Sequence, residues 1–168
     1  MYGFVLLVHS WNRWIVLVLG IAVLLDQLRA RRWLEAPGWT GPTVMHRAFI
    51  RALDVQFVLG LLLYVVLSPW TRTALGDVGA ALSNPVLRFF SVEHAFGMIV
   101  AVGMAHLGFD RLDTLARKAS AGAEFQEEEP QRAERRAVLT QIVWLMVTLV
   151  SIPWPGMAYG RPLGRFGL

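Results

Sequence analysis

Four apolar runs, at 3–25, 48–68, 89–109 and 137–152, dominate this chain, and arginines crowd the connections between them. Lipid offers no partner for backbone N–H and C=O groups, so only helices or closed barrels cross a bilayer, and a helix needs about 20 apolar residues to do so. The first three runs reach that length. The fourth is shorter, but Pro153, Trp154 and Pro155 extend it with an aromatic, interfacial end. The expected fold is all-α, an integral membrane four-helix bundle forming a single domain over 1–168. Composition agrees, with 17% of residues charged and 55% hydrophobic, where an ordinary soluble domain carries about a quarter charged residues. The first run reads as a span and not a signal peptide. It lacks a basic leading segment, holds Arg13 inside it, and has no small-residue cleavage site before Asp26.

Basic residues orient the spans. Eleven of them (Arg29, Arg31, Arg32, Arg47, Arg51, Arg111, Arg117, Lys118, Arg132, Arg135 and Arg136) belong to the first and third connections and the helix ends beside them. Four (Arg72, Arg88, Arg161 and Arg165) lie on the opposite side. The positive-inside rule makes the first connection and the 110–136 loop cytoplasmic. The 69–88 loop, the 153–168 tail and both termini become periplasmic, in a multi-pass protein of a bacterial inner membrane. The formal charge of +4 is a topology signal of this kind and does not point to nucleic acid. Residues 119–136 read as a solvated, partly disordered loop whose acidic 124–129 stretch is open to docking a partner. Residues 69–88 are long enough for a short amphipathic helix ended by Asn84-Pro85. The tail, rich in Gly, Pro and aromatics, is expected along the membrane surface or against a partner. Trp33, Trp39, Trp70 and Trp154, with Trp11 and Trp14, fall where an aromatic belt belongs.

Polar groups inside spans are expensive to bury, so they face the bundle interior and mark pairing or function. Two belts result. His9, Asn12, Arg13, Glu93 and His94 occupy the periplasmic half; His46, Asp54, Gln56, His106, Asp110 and Arg111 occupy the cytoplasmic half. At about 100° per residue, His9, Arg13, Gly20 and Gln27 share one face of the first helix. His94 aligns with Gly97, Ala101, Ala105 and Gly108, a small-residue stripe that admits another helix or a flat cofactor. Gln56, Gly60 and Tyr64 are in similar register on the second span.

These residues admit two readings. In the preferred one, Arg13 pairs with Glu93, and His9, Asn12, Asp54, Gln56 and His94 complete a structural polar network with no cofactor required. In the other, His9 and His94 are axial ligands of a haem b, or one of them ligates a chlorin magnesium, since imidazole binds such metals. His46 and His106 form a weaker second pair, because His94 and His106 lie about 120° apart around their helix. The absence of cysteine removes disulfides, iron–sulfur clusters and thiolate sites. There is no nucleophile motif, phosphate loop, HExxH or carboxylate pair, so a non-enzyme is expected.

The set HSWNRW, VQFVLGLLLYVVLSPW, LRFFSVEH and IPWP resembles a family of small four-span bacterial inner-membrane proteins, largely uncharacterised and sometimes labelled cytochrome b-like. The resemblance covers the four spans, leaving out the acidic loop and the tail. It implies four membrane helices and directs attention to His9, Arg13, Glu93 and His94. Members of that family carry histidine where this chain has Asp54, so any ligand set using that position is incomplete here. The expectation is a small non-catalytic subunit of a larger respiratory or photosynthetic membrane complex, surrounded by lipid and other membrane subunits. The alternative is a b-type electron-transfer protein with bis-histidine ligation.

Overall fold

The computed structural model describes residues 1–29, 41–124 and 129–160, and it is helical throughout apart from short turns. Trp33, Trp39, Arg31, Arg32, Arg161, Arg165 and residues 125–128 lie outside the described residues. Helix α1 spans Tyr2–Arg29 and α2 spans Val44–Leu62, which continues as one π-helical turn, Leu63–Leu67. Three short helices follow: α3 (Pro69–Gly76), α4 (Val78–Ser83) and α5 (Pro85–Arg88). A second π turn, Phe89–Glu93, leads into α6 (His94–Ser120), and α7 runs from Glu129 to Ser151.

Among the described residues, three helical segments are long and apolar enough to cross a membrane: Tyr2–Arg29, Val44–Leu67 and Pro85–Ser120. Helix α7 is not among them. Its first turns carry Arg132, Glu134, Arg135 and Arg136, and the apolar part from Ala137 covers only about 22 Å at 1.5 Å per residue, less than a hydrocarbon core of about 30 Å.

Local chemistry explains the breaks. Thr43 caps α2 by accepting from His46 N at 3.4 Å. Ser68 caps α3, with Pro69 in the first turn, where a missing N–H does no harm. Asp77 accepts from Ala80 N at 2.9 Å, and Asn84 accepts from Val86 N and Leu87 N at 2.9 and 3.2 Å. In place of the single short amphipathic helix expected over 69–88 there are three short capped helices. Asn84-Pro85 opens a helix where the sequence was read as closing one, because Asn is a strong N-cap and Pro suits the first helical position. Helix α6 likewise continues well past the expected end of the third span at 109, with Asp113 and Arg117 paired at 3.3 Å along it. Lys118 reaches Glu129 at 2.7 Å, tying the end of α6 to the start of α7. Of the segment expected to be a solvated, partly disordered loop, residues 119–120 and 129–136 are helix.

Helix α1 packs on α2 and α7, and α6 packs on α7 and α2, which sets α1 and α6 diagonally across the interior. The core centres on Trp144, fully buried, whose ring meets Phe49 edge-to-face at 4.7 Å. Gly20 makes room for it: a Cβ there would lie 2.1 Å from the Trp144 ring and 3.0 Å from Phe49. Gln141 on α7 donates to the Gly20 carbonyl at 2.9 Å. The small stripe of α6 is taken up by α7, since Gly97 lies against Ser151 and Gly108 against Thr140. Phe4, Ile15, Val18, Val58, Phe96 and Val150 point outward, an apolar exterior suited to lipid.

Candidate cofactor cavity between His9 and His94

A cavity of about 450 Å³ opens in the half of the structure that holds His9 and His94. Residues of α1, α2 and α6 form its walls, and Thr148, Ile152 and Pro153 line it from the α7 end. Its size falls within the roughly 300–1,000 Å³ of small-molecule and cofactor sites, and its lining is largely apolar with few polar groups, as such sites are. The two π turns flank it. Tyr64, in the first, donates its hydroxyl to the Ser91 carbonyl in the second at 2.8 Å. Single π turns inside helices recur at functional sites because they re-aim side chains.

Both histidines line this cavity, and their rings meet edge-to-face with centroids 6.5 Å apart and planes at 78°. Their hydrogen bonds define their tautomers. Asn12 Nδ2 donates to the Ala52 carbonyl and to Gln56 Oε1, both at 2.9 Å. A carbonyl only accepts, so this orients both amides, and Gln56 Nε2 donates to His9 Nε2 at 3.2 Å. The neutral His9 ring therefore holds its proton on Nδ1, which is buried with no hydrogen-bond partner among the described residues. His94 is the reverse in role. Its Nδ1 donates to the Ser151 carbonyl at 2.7 Å, so the lone pair resides on Nε2. A backbone carbonyl accepting from one ring nitrogen fixes a histidine's tautomer and ring orientation, as it does for metal-ligating histidines.

The expected Arg13–Glu93 pair is replaced. Glu93 takes Arg88 Nε at 2.7 Å, and the Arg13 guanidinium lies 5.1 Å from the ring centre of Trp14. Comparable depth had suggested the pairing, but Arg88, five residues from Glu93 and joined through the π turn, is closer. Asn12 and Gln56 do form the network expected of them, bridging α1 and α2. Asp54 does not join it; it accepts from His106 Nε2 at 2.9 Å, on the outside between α2 and α6.

His46 and His106 are engaged separately. His46 is buried with Gln27 at 3.2 Å, Thr43 at 2.9 Å and Asp26 at 3.9 Å, whereas His106 is occupied by Asp54. The second pair of ligands is thus not assembled. Among the described residues no group of three or more His, Asp and Glu side chains gathers as a metal site.

The Ser151 carbonyl, Thr148 and the aromatic cover were not anticipated. Phe89 stacks on Tyr159 at 3.8 Å and 6°, and sits 5.8 Å from the His94 ring. The described part of the tail therefore folds back over this end of the site. Gly60 is the one signal that was legible: a Cβ there would come within 3.2 Å of His9 Cε1, so the second helix needs glycine where that ring packs.

Comparison with protein-family models, curated proteins and solved structures returned no match.

Proposed function

We propose that this chain is a four-span membrane bundle with both termini periplasmic, and that it holds a tetrapyrrole of the haem b class for electron transfer. The observation that carries this reading is that His9 and His94, on diagonal helices, both line one largely apolar cavity with their rings 6.5 Å apart. His94 and His9 would be the residues to hold such a group, their rings lying 6.5 Å apart beside the cavity. Ser151 would hold the His94 ring in one tautomer, and His9 would join it once Gln56 swings away from Nε2. Single ligation by His94 also suits a chlorin magnesium.

When bound, the group supplies a one-electron couple whose potential is tuned by burial and axial ligands. The protein's own share is to orient His94 through Ser151, to keep His9 placed through Gln56 and Asn12, and to exclude water with the aromatic cover. Titration of the detergent-purified protein with haem tests this. The expected result is saturation at one haem per chain, with ligation lost in His94→Ala. Binding that ignores both histidines overturns it.

The second reading, a non-catalytic subunit of a respiratory or photosynthetic complex in the inner membrane, is favoured by one observation. The Asp54–His106 pair lies on the outer surface, at 51% and 36% side-chain exposure, within segments apolar enough to span a membrane.

A further inference from the structure

Asp54 lies near the middle of the 24-residue segment Val44–Leu67, and His106 meets it from α6 at 2.9 Å. Hydrocarbon is a poor environment for such a pair, so ionisable groups at this depth belong against protein or a wet cavity. On α2, Arg47, Arg51, Asp54 and Val58 follow a three-to-four-residue spacing, and all four are exposed. On α6 the matching stripe is Ile99, Gly103, His106 and Asp110. Asp54–His106 joins the two stripes at a groove.

Two features of this face decide what covers it. First, Arg51 and Asp110 are exposed and of opposite sign, and neither has an ion-pair partner among the described residues. Each lies about one turn beyond the Asp54–His106 contact in the same direction, because the helices run antiparallel. Second, Gly103 occupies the middle of a long helix, where glycine is less favourable than alanine. Nothing in the chain lies within 4 Å of a Cβ built there. Small residues on an outward helix face let a second helix approach closely.

A patch holding both signs at one level is self-complementary under a two-fold axis. We propose that a second copy of this chain covers the α2–α6 groove, with the axis along the membrane normal. In that arrangement α2 of each copy meets α6 of the other, so Arg51 of one lies opposite Asp110 of its partner, twice. The two Asp54–His106 pairs sit near the axis, shielded from lipid, and Gly103 admits the close crossing. A two-fold interface uses the same patch on both copies, and so a single acidic–basic pair per chain satisfies both sides.

The absence of cysteine makes the test clean. In native membranes holding full-length Gly103→Cys and Val58→Cys chains together, mild oxidation should cross-link one of each to a species of twice 18.8 kDa, since Val58 lies level with Gly103 on the facing stripe. Val18→Cys, exposed on α1, should stay monomeric. Light scattering in detergent should show the dimer weakened at least tenfold by Arg51→Asp and by Asp110→Arg, and restored when the two are combined. The proposal is overturned if the Gly103→Cys and Val58→Cys chains together stay monomeric, if they cross-link to a protein of another mass, or if the double exchange fails to restore association. None of these outcomes depends on a bound tetrapyrrole.

Discussion

Replacing Gln56 with leucine separates a histidine that serves only to hold helices together from one that awaits a metal. Gln56 receives Asn12 Nδ2 on its oxygen and donates to His9 Nε2, so the substitution removes two interhelical bonds of the α1–α2 interface. Such bonds within membranes average about 0.6 kcal/mol and reach about 1.7 kcal/mol. The loss is therefore about 1–2 kcal/mol of stability, tempered because Asn12 keeps the Ala52 carbonyl. Thermal unfolding in detergent should report a midpoint lower by a few degrees. Haem binding should move the other way. In the wild type, ligation by His9 first breaks the bond to Gln56, whereas in Gln56→Leu the Nε2 lone pair is already available. Removing a competing bond of about 0.6–1.7 kcal/mol tightens binding about threefold to twentyfold and should shift the bound haem toward six-coordinate, low-spin spectra. The measurement is a haem titration followed in the Soret region, run beside the melting curve. If affinity falls together with stability, His9 is a packing residue and the reasoning fails.

Other outcomes follow from the same contacts. Gly20→Ala places a methyl 2.1 Å from Trp144; such overpacking typically costs about 1–3 kcal/mol, so the midpoint should drop, and Trp144→Phe in the same chain should recover part of the loss. An unchanged melting curve for Gly20→Ala would contradict the packing described. His106→Leu strands the Asp54 carboxylate and should destabilise the protein more than His106→Leu with Asp54→Leu together; additive losses in a double-mutant cycle would reject the pairing. A reporter active only outside the cytoplasm should be active when fused at the C-terminus and silent when inserted after Ser120; the reverse pattern would overturn the orientation.

Hydropathy alone made the long helices legible, because apolar length is what a bilayer demands of a span. It placed the start of the second helix near Ala48, yet Thr43 caps it several residues earlier, since capping depends on one side chain and not on mean polarity. The reading of Asn84-Pro85 as a terminator failed for the same reason. In the cavity, azimuth was readable and partners were not. Helical angle set His94 and His106 about 120° apart, but the two-belt reading placed Gln56 in the opposite half from His9 and Asn12, and the structure joins all three. Depth, however, could not choose between Arg13 and Arg88 for Glu93, because that choice turns on a π turn with no sequence code. Nor could any pattern announce that His94 is held by a backbone carbonyl, which every residue possesses.

The most direct measurement is a reduced-minus-oxidised absorption spectrum of the protein purified from membranes that synthesise haem. A tetrapyrrole held between His94 and His9 predicts a Soret shift and a sharp α-band, abolished by His94→Ala in a chain that still folds. A flat difference spectrum from well-folded wild-type protein, unchanged after added haem, would contradict the account.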